Sequence, residues 1–194
     1  MKVNTYTTIA STFSAKLVIK KSTFLSFAIP VDKEQDVEVL LRNFKKKYYD
    51  ARHICYAYIL DNNIKFDDDN EPSGTAGLPI LEVLKKNNLN HVICIVIRYF
   101  GGIKLGSGGL IRAYSNSCSL CLKKTNLILL ELKYKIKIIL DYNDQKKLSF
   151  LNKDNIINII YSNNIIYYLL INKDILTKLN DLNIKYELLE ENYF

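Results

Sequence analysis

Along the first half of the chain the apolar residues switch between two periods. From Lys16 to Val31 they sit among β-branched and aromatic residues, with Pro30 near the end, and predict one or two strands. From Asp32 the spacing turns helical: Val37, Leu40, Leu41, Phe44 and Tyr48 share one face, and Asp32 with Gln35 reads as a capping box. Acidic residues crowd the start of this helix, and Arg42 with Lys45 to Lys47 crowds its end. The helix dipole favours that order, so the basic run reads as a solvated helix end rather than a nucleic-acid contact. Strands follow at 53–60 and 64–66, joined by Asp61, Asn62 and Asn63, which suit a turn. Pro79 fits the first turn of a short helix carrying Ile80, Leu81 and Leu84. The unbroken apolar run from Val92 to Ile97 predicts a strand buried on both faces. Beyond a glycine-rich turn, Leu110, Tyr114, Cys118 and Cys121 make the stripe of a further helix.

After Leu127 glycine and proline vanish, and Lys133, Lys135 and Lys137 alternate with Leu132, Tyr134, Ile136 and Ile138 on a strand with one wet face. The remainder predicts strand 130–141, helix 144–152, strand 155–161, a turn at Ser162 to Asn164, strand 165–171, helix 174–182 and strand 184–189. That order, βαββαβ, is the ferredoxin-like pattern. The change of texture places a domain boundary near residue 126, dividing the chain into 1–126 and 127–194.

Composition narrows the function classes. At 48% hydrophobic and 24% charged residues the chain sits at globular averages, which excludes collagen-like, disordered and disulfide-dense classes. No run approaches the roughly 18 apolar residues of a membrane span. The polar first twelve residues hold no secretory signal, so the expected compartment is the cytoplasm, with no membrane partner. The four cysteines then read as reduced core thiols, including the Cys118 and Cys121 pair late in its helix. Charge is uneven: residues 127–194 hold 9 basic and 9 acidic side chains, so the net +7 belongs wholly to the 18 basic and 11 acidic groups before them. Only 4 of the 27 basic residues are arginine, and three of these, Arg52, Arg98 and Arg112, lie between residues 50 and 115. All 7 glycines fall between Gly74 and Gly109.

Two segments carry candidate chemistry. The first runs from Arg98 to Arg112, joining the buried strand to the helix. Gly101, Gly102, Gly106, Gly108 and Gly109 let the main chain bend and let a partner approach it closely, and the free amides near Ser107 suit an oxyanion. Arg98, Lys104 and Arg112 supply charge around them, so this segment is the candidate phosphate or nucleic-acid site, the alternative being that a tight turn and close strand–helix packing alone require the glycines. A P-loop is excluded because Ser107-Gly108 stands where Lys-Ser/Thr is needed.

The second segment holds Asp67, Asp68, Asp69 and Glu71, carboxylates suited to an Arg-rich protein partner, to Mg²⁺ or to ion pairing within the chain. A solvated acidic loop, or one neutralised internally by Arg98 or Arg112, is favoured, and Ser73 and Thr75 are expected to cap the next helix. His53 and His91 lack metal-ligand spacing, and no nucleophile and base pair can be assembled. No catalytic residue, metal site or cofactor is therefore assigned, and a non-enzymatic binding protein is favoured.

The segments Asp68 to Pro79 and Arg98 to Tyr114 resemble the signatures of the Impact/YigZ family, and the likeness extends to Lys20 to Phe24 and Ala51 to Tyr58. It covers residues 15–120, with Asn70 where the family usually has glycine; asparagine tolerates the left-handed conformation. The resemblance implies an α+β protein: a domain like the second domain of ribosomal protein S5, then a ferredoxin-like domain, a pairing similar to domains IV and V of the translocating elongation factor. It implies a part in translation control, with RNA or a ribosomal surface as partner of the basic glycine-rich turn, or a translation-control protein as partner. Two alternatives stay open: a nucleotide- or phosphate-binding enzyme on the S5-like fold, and a protein-binding regulator acting through the acidic loop.

Overall fold

The computed structural model describes residues 4–194, which form two compact units: residues 6–129, and residues 130–194 with Asn4 and Thr5. β1 (Thr5–Ile9) leads into the first unit, where the Asn90 amide donates to the Thr7 carbonyl at 2.9 Å and the Thr8 hydroxyl to the His91 carbonyl at 3.1 Å. There follow β2 (Phe13–Ile19), β3 (Ser22–Pro30), α1 (Glu34–Lys47), β4 (His53–Leu60), β5 (Asn63–Asp67), α2 (Gly77–Lys86), β6 (Val92–Tyr99) and α3 (Ser107–Leu122). The strands form one antiparallel sheet in the order β2-β3-β6-β4-β5.

Strand alternation builds a core on each side of this sheet. Val92, Cys94 and Val96 of β6 face one core with Phe24, Ala28, Cys55 and Ala57, under α2 and α3. Ile93, Ile95 and Ile97 face the other with Ile54 and Tyr58, under α1. The unbroken apolar run is thus a central strand covered on both faces, and each such side chain contributes about 1.5–3 kcal/mol by leaving water.

Helix α1 buries the stripe read from the sequence, Val37 with Leu40, Leu41, Phe44 and Tyr48 beside it. Its start differs: the N-cap is Lys33, with no side-chain cap, so the Asp32 and Gln35 capping box does not form. Glu34 is instead drawn to β4, where it accepts from the Tyr58 hydroxyl at 3.1 Å.

The second unit contains β7 (Leu127–Leu140) from Leu130 onward, then β8 (Ile156–Tyr161), β9 (Ile165–Asn172), α4 (Lys173–Asp181) and β10 (Glu187–Tyr193). β10 and β9 flank β7, and β8 lies beyond β9, all antiparallel. Numbered within the unit this is the order 4-1-3-2, that of a ferredoxin-like sheet. Ile136, Ile138, Ile165, Tyr167 and Leu169 turn to one face, where Leu148, Leu179 and Ile184 cover them.

Two expectations are corrected here. Residues 144–152 do not form an α-helix: 3₁₀ turns span Tyr142–Leu148 and Lys153–Asn155. Asparagine side chains compete with helical bonding, as where the Asn152 amide donates to Asn155 Oδ1 at 3.0 Å. The last strand begins at Glu187 rather than 184, because Ile184 is spent on the core.

The close approach of Gly101 to the β2–β3 hairpin gives a direct test. A Cβ there would overlap the backbone of Lys21 and Ser22, whereas one on Gly108 would meet only Arg112 Nη1, at 3.7 Å. Gly101→Ala should lower stability by about 1–3 kcal/mol, and Gly108→Ala should raise it by up to about 1 kcal/mol through helix propensity. Urea midpoints at unchanged slope measure both, and an unshifted Gly101→Ala midpoint would contradict the packing.

Candidate functional site

The site grows from the end of β6. After six fully buried residues this strand reaches Arg98, itself only 5% exposed. A guanidinium at that depth needs an anion, and Glu71 supplies it: Nη1 donates to Oε1 at 2.6 Å. The Tyr114 hydroxyl of α3 donates to the same oxygen at 2.8 Å, and His53 Nε2 lies 3.7 Å from it. The guanidinium also lies over the rings of Phe24 and Phe100, 5.6 and 5.5 Å from their centroids. His53 is oriented from behind, its Nδ1 2.7 Å from the Asp69 carbonyl. A carbonyl only accepts, so Nδ1 carries the proton and Nε2 faces Glu71.

The acidic loop turns Asp68, Asp69 and Glu71 inward and leaves Asp67 exposed. Asp68 accepts from the amides of Gly74, Ala76 and Gly77 at 2.7, 2.9 and 2.7 Å. It thereby caps α2 from outside the helix, and the expected caps Ser73 and Thr75 do not serve: no side chain caps from the N-cap position, and the Thr75 hydroxyl donates to the Pro72 carbonyl at 2.6 Å. Asp69 accepts from the Ile54 amide at 2.6 Å, and Asp67 from the Asp69 amide at 2.7 Å. Asn70 takes a φ of 65°, in the left-handed region. Under the loop the Cys55 thiol donates to the Asp68 carbonyl at 3.1 Å. Burial pushes that thiol well above its ordinary range, and burial with the nearby Cys55 and Glu71 does the same to the Tyr114 phenol.

The glycine segment divides its labour. Gly101 packs on the β2–β3 hairpin, and its amide donates to Ser22 Oγ at 3.2 Å. Gly106 is the N-cap of α3 at a φ of 71° and brings no side-chain cap. The amides of Ser107, Gly108 and Gly109 precede the first helical bond, from the Leu110 amide to the Gly106 carbonyl at 2.9 Å.

These elements wall a cavity of about 530 Å³. Lys104, Gly106 and Ser107 line it, as does Arg98; Gly101, Gly102, Gly108, Gly109 and Arg112 do not. Arg112 is exposed within the first two turns of α3. Arg52, His53 and Phe100, absent from the sequence-based site, join the lining: Arg52 and His53 because β4 pairs with β6 in the register His53 to Arg98, Phe100 because it follows the end of β6 two residues after Arg98. The wall thus carries three cationic side chains, Arg52, Arg98 and Lys104, against the single carboxylate of Glu71.

The profile of the Impact N-terminal domain matches residues 20–122, which contain the whole site. The IMPACT family member YvyE of Bacillus subtilis is 46% identical over 120 residues, covering 60% of this chain and 55% of that protein. The IMPACT family member YigZ of Escherichia coli is 34% identical over 111 residues, covering 55% and 54%. The chain spans about half the length of the curated relatives it matches. A crystal structure of a hypothetical protein is similar over 97% of this chain and 98% of its own, with a TM-score of 0.69 at 23% identity, a likeness of fold.

Two outcomes follow from the buried network. Glu71→Gln strands the Arg98 charge and should cost about 3–5 kcal/mol in urea unfolding; a loss below about 1 kcal/mol would contradict the pairing. All four cysteines are buried, with Cys121 pushed up to about 11 chiefly by burial. Ellman's reagent at neutral pH should therefore find no fast thiol until the chain unfolds, and a fast native thiol would overturn this.

Proposed function

This chain belongs to the Impact family, and on that premise we propose that it is a translation-associated regulatory protein whose first unit binds RNA, free or on a ribosomal surface. The link to translation comes from the family resemblance, and the RNA reading comes from the site. One observation carries it: the uncapped start of α3 opens on a cavity flanked by the exposed cations Arg52 and Lys104. Helix-start amides hold phosphate oxygens through hydrogen bonds and the dipole, and arginine and lysine add charge at the rim.

Further cationic groups extend this surface. Arg112 stands exposed in α3, and the exposed Lys20 and Lys21 form the hairpin turn on which Gly101 rests, at φ of 45° and 65°. The excess positive charge of the chain before residue 127 supports the same partner class.

Phosphate contacts release counterions, so affinity for a single-stranded RNA should fall steeply as salt rises. Fluorescence anisotropy over a salt series measures the slope. Lys104→Ala and Arg52→Ala should each weaken binding and reduce the slope by about 1, whereas Lys46→Ala at the end of α1 should change neither. Salt-independent binding, or full affinity in the Arg52 and Lys104 variants, would contradict the proposal.

A further inference from the structure

The cavity beside α3 holds more than a track for RNA backbone needs. Its volume of about 530 Å³ lies within the range of small-molecule sites. The guanidinium of Arg98 forms part of its wall and bonds Glu71 through Nη1. Arginine offers five donors in a planar fork, so the guanidinium has donor capacity beyond that bond. Phe100 stands 49% exposed on the same wall, a flat apolar face next to the cationic groups. Leu105, Leu110 and Pro72 extend the apolar lining.

Charge selects among phosphates. The wall carries an excess of two positive groups, and the one carboxylate is already bonded by Arg98 and Tyr114. A terminal phosphate bears close to two negative charges near neutral pH and presents three acceptor oxygens, whereas an internal diester bears one charge. The start of α3 at Ser107, with Arg98, Lys104 and Arg52, gathers donors and positive charge that suit the doubly charged group better than the singly charged one.

We propose that this cavity binds a nucleoside phosphomonoester, with the terminal phosphate at the start of α3 beside Arg98 and the base against Phe100. The inference rests on the phosphate-binding reading above and names its ligand: a free mononucleotide, or the 5′-phosphorylated end of an RNA, which share this chemistry.

Calorimetric titration of the full chain with adenosine 5′-monophosphate, adenosine and inorganic phosphate tests it. The nucleotide should bind at least about tenfold tighter than either part. Phe100→Ala should remove most of the advantage over phosphate. Ser107→Asp, which suits a helix start and so preserves folding, should abolish binding by placing a carboxylate where the phosphate sits. A nucleotide bound no tighter than inorganic phosphate, or an unaffected Ser107→Asp variant, overturns the proposal. Anisotropy with one short RNA carrying a 5′-phosphate or a 5′-hydroxyl assigns the source: preference for the phosphorylated end supports the RNA terminus, and nucleotide binding without it supports a free nucleotide. Salt-dependent RNA binding with no advantage for the nucleotide removes this inference alone. Nucleotide binding without any RNA affinity removes the RNA reading alone.

Discussion

The buried pair of Arg98 and Glu71 joins three parts of the first unit that are distant in sequence: the acidic loop, the end of β6 and, through Tyr114, helix α3. Removing two charges from water costs several kcal/mol per ion, and attraction offsets this only where the remaining hydrogen-bonding capacity is met. Glu71 meets the condition by accepting from Arg98 and Tyr114, with His53 Nε2 3.7 Å away. Two consequences reach the surface. The loop is held against the sheet, which sets one wall of the cavity. Its one lining carboxylate is also compensated, so Arg52 and Lys104 at the rim act on a ligand without opposition from free acid groups.

Asp68 and the glycines complete the scaffold. One carboxylate serves the amides of Gly74, Ala76 and Gly77, so α2 begins where the loop tells it to and not where a local side chain caps it. At α3 the opposite holds: Gly106 reverses the chain at positive φ and leaves the helix start without a side-chain cap. The two helices that cover the same core therefore differ at their first turns, one satisfied from within the protein and one open to a ligand. Gly101 belongs to the scaffold, since its place against Lys21 and Ser22 requires the missing side chain.

Much of this was legible in the residues because it depends on local period. The apolar run of β6, the α1 stripe and the alternation of β7 each appear as expected, and so does the βαββαβ strand plan apart from its first helix, which is replaced by 3₁₀ turns with an asparagine side chain bonding the backbone between them. What escaped depends on pairing between distant segments. Internal pairing of the acidic loop with Arg98 is among the favoured readings of the sequence, and Glu71 makes it; nothing local shows the consequence, that Arg98 serves the cavity only as part of its wall. Arg52 and His53 reach the site through the register of β4 on β6, which no spacing rule encodes. One signal was available: an arginine ending a wholly apolar strand, in a chain that otherwise uses lysine, implies a buried planar contact.

The central claim is that the open amides at the start of α3 receive a ligand phosphate, and backbone NMR of those amides during RNA titration reads it directly. The account predicts saturable shifts centred on Ser107, Gly108 and Gly109, with little change at Lys45 to Lys47 of α1. Shifts centred on those lysines or on the second unit, with residues 107–109 unmoved while RNA binds, would contradict it.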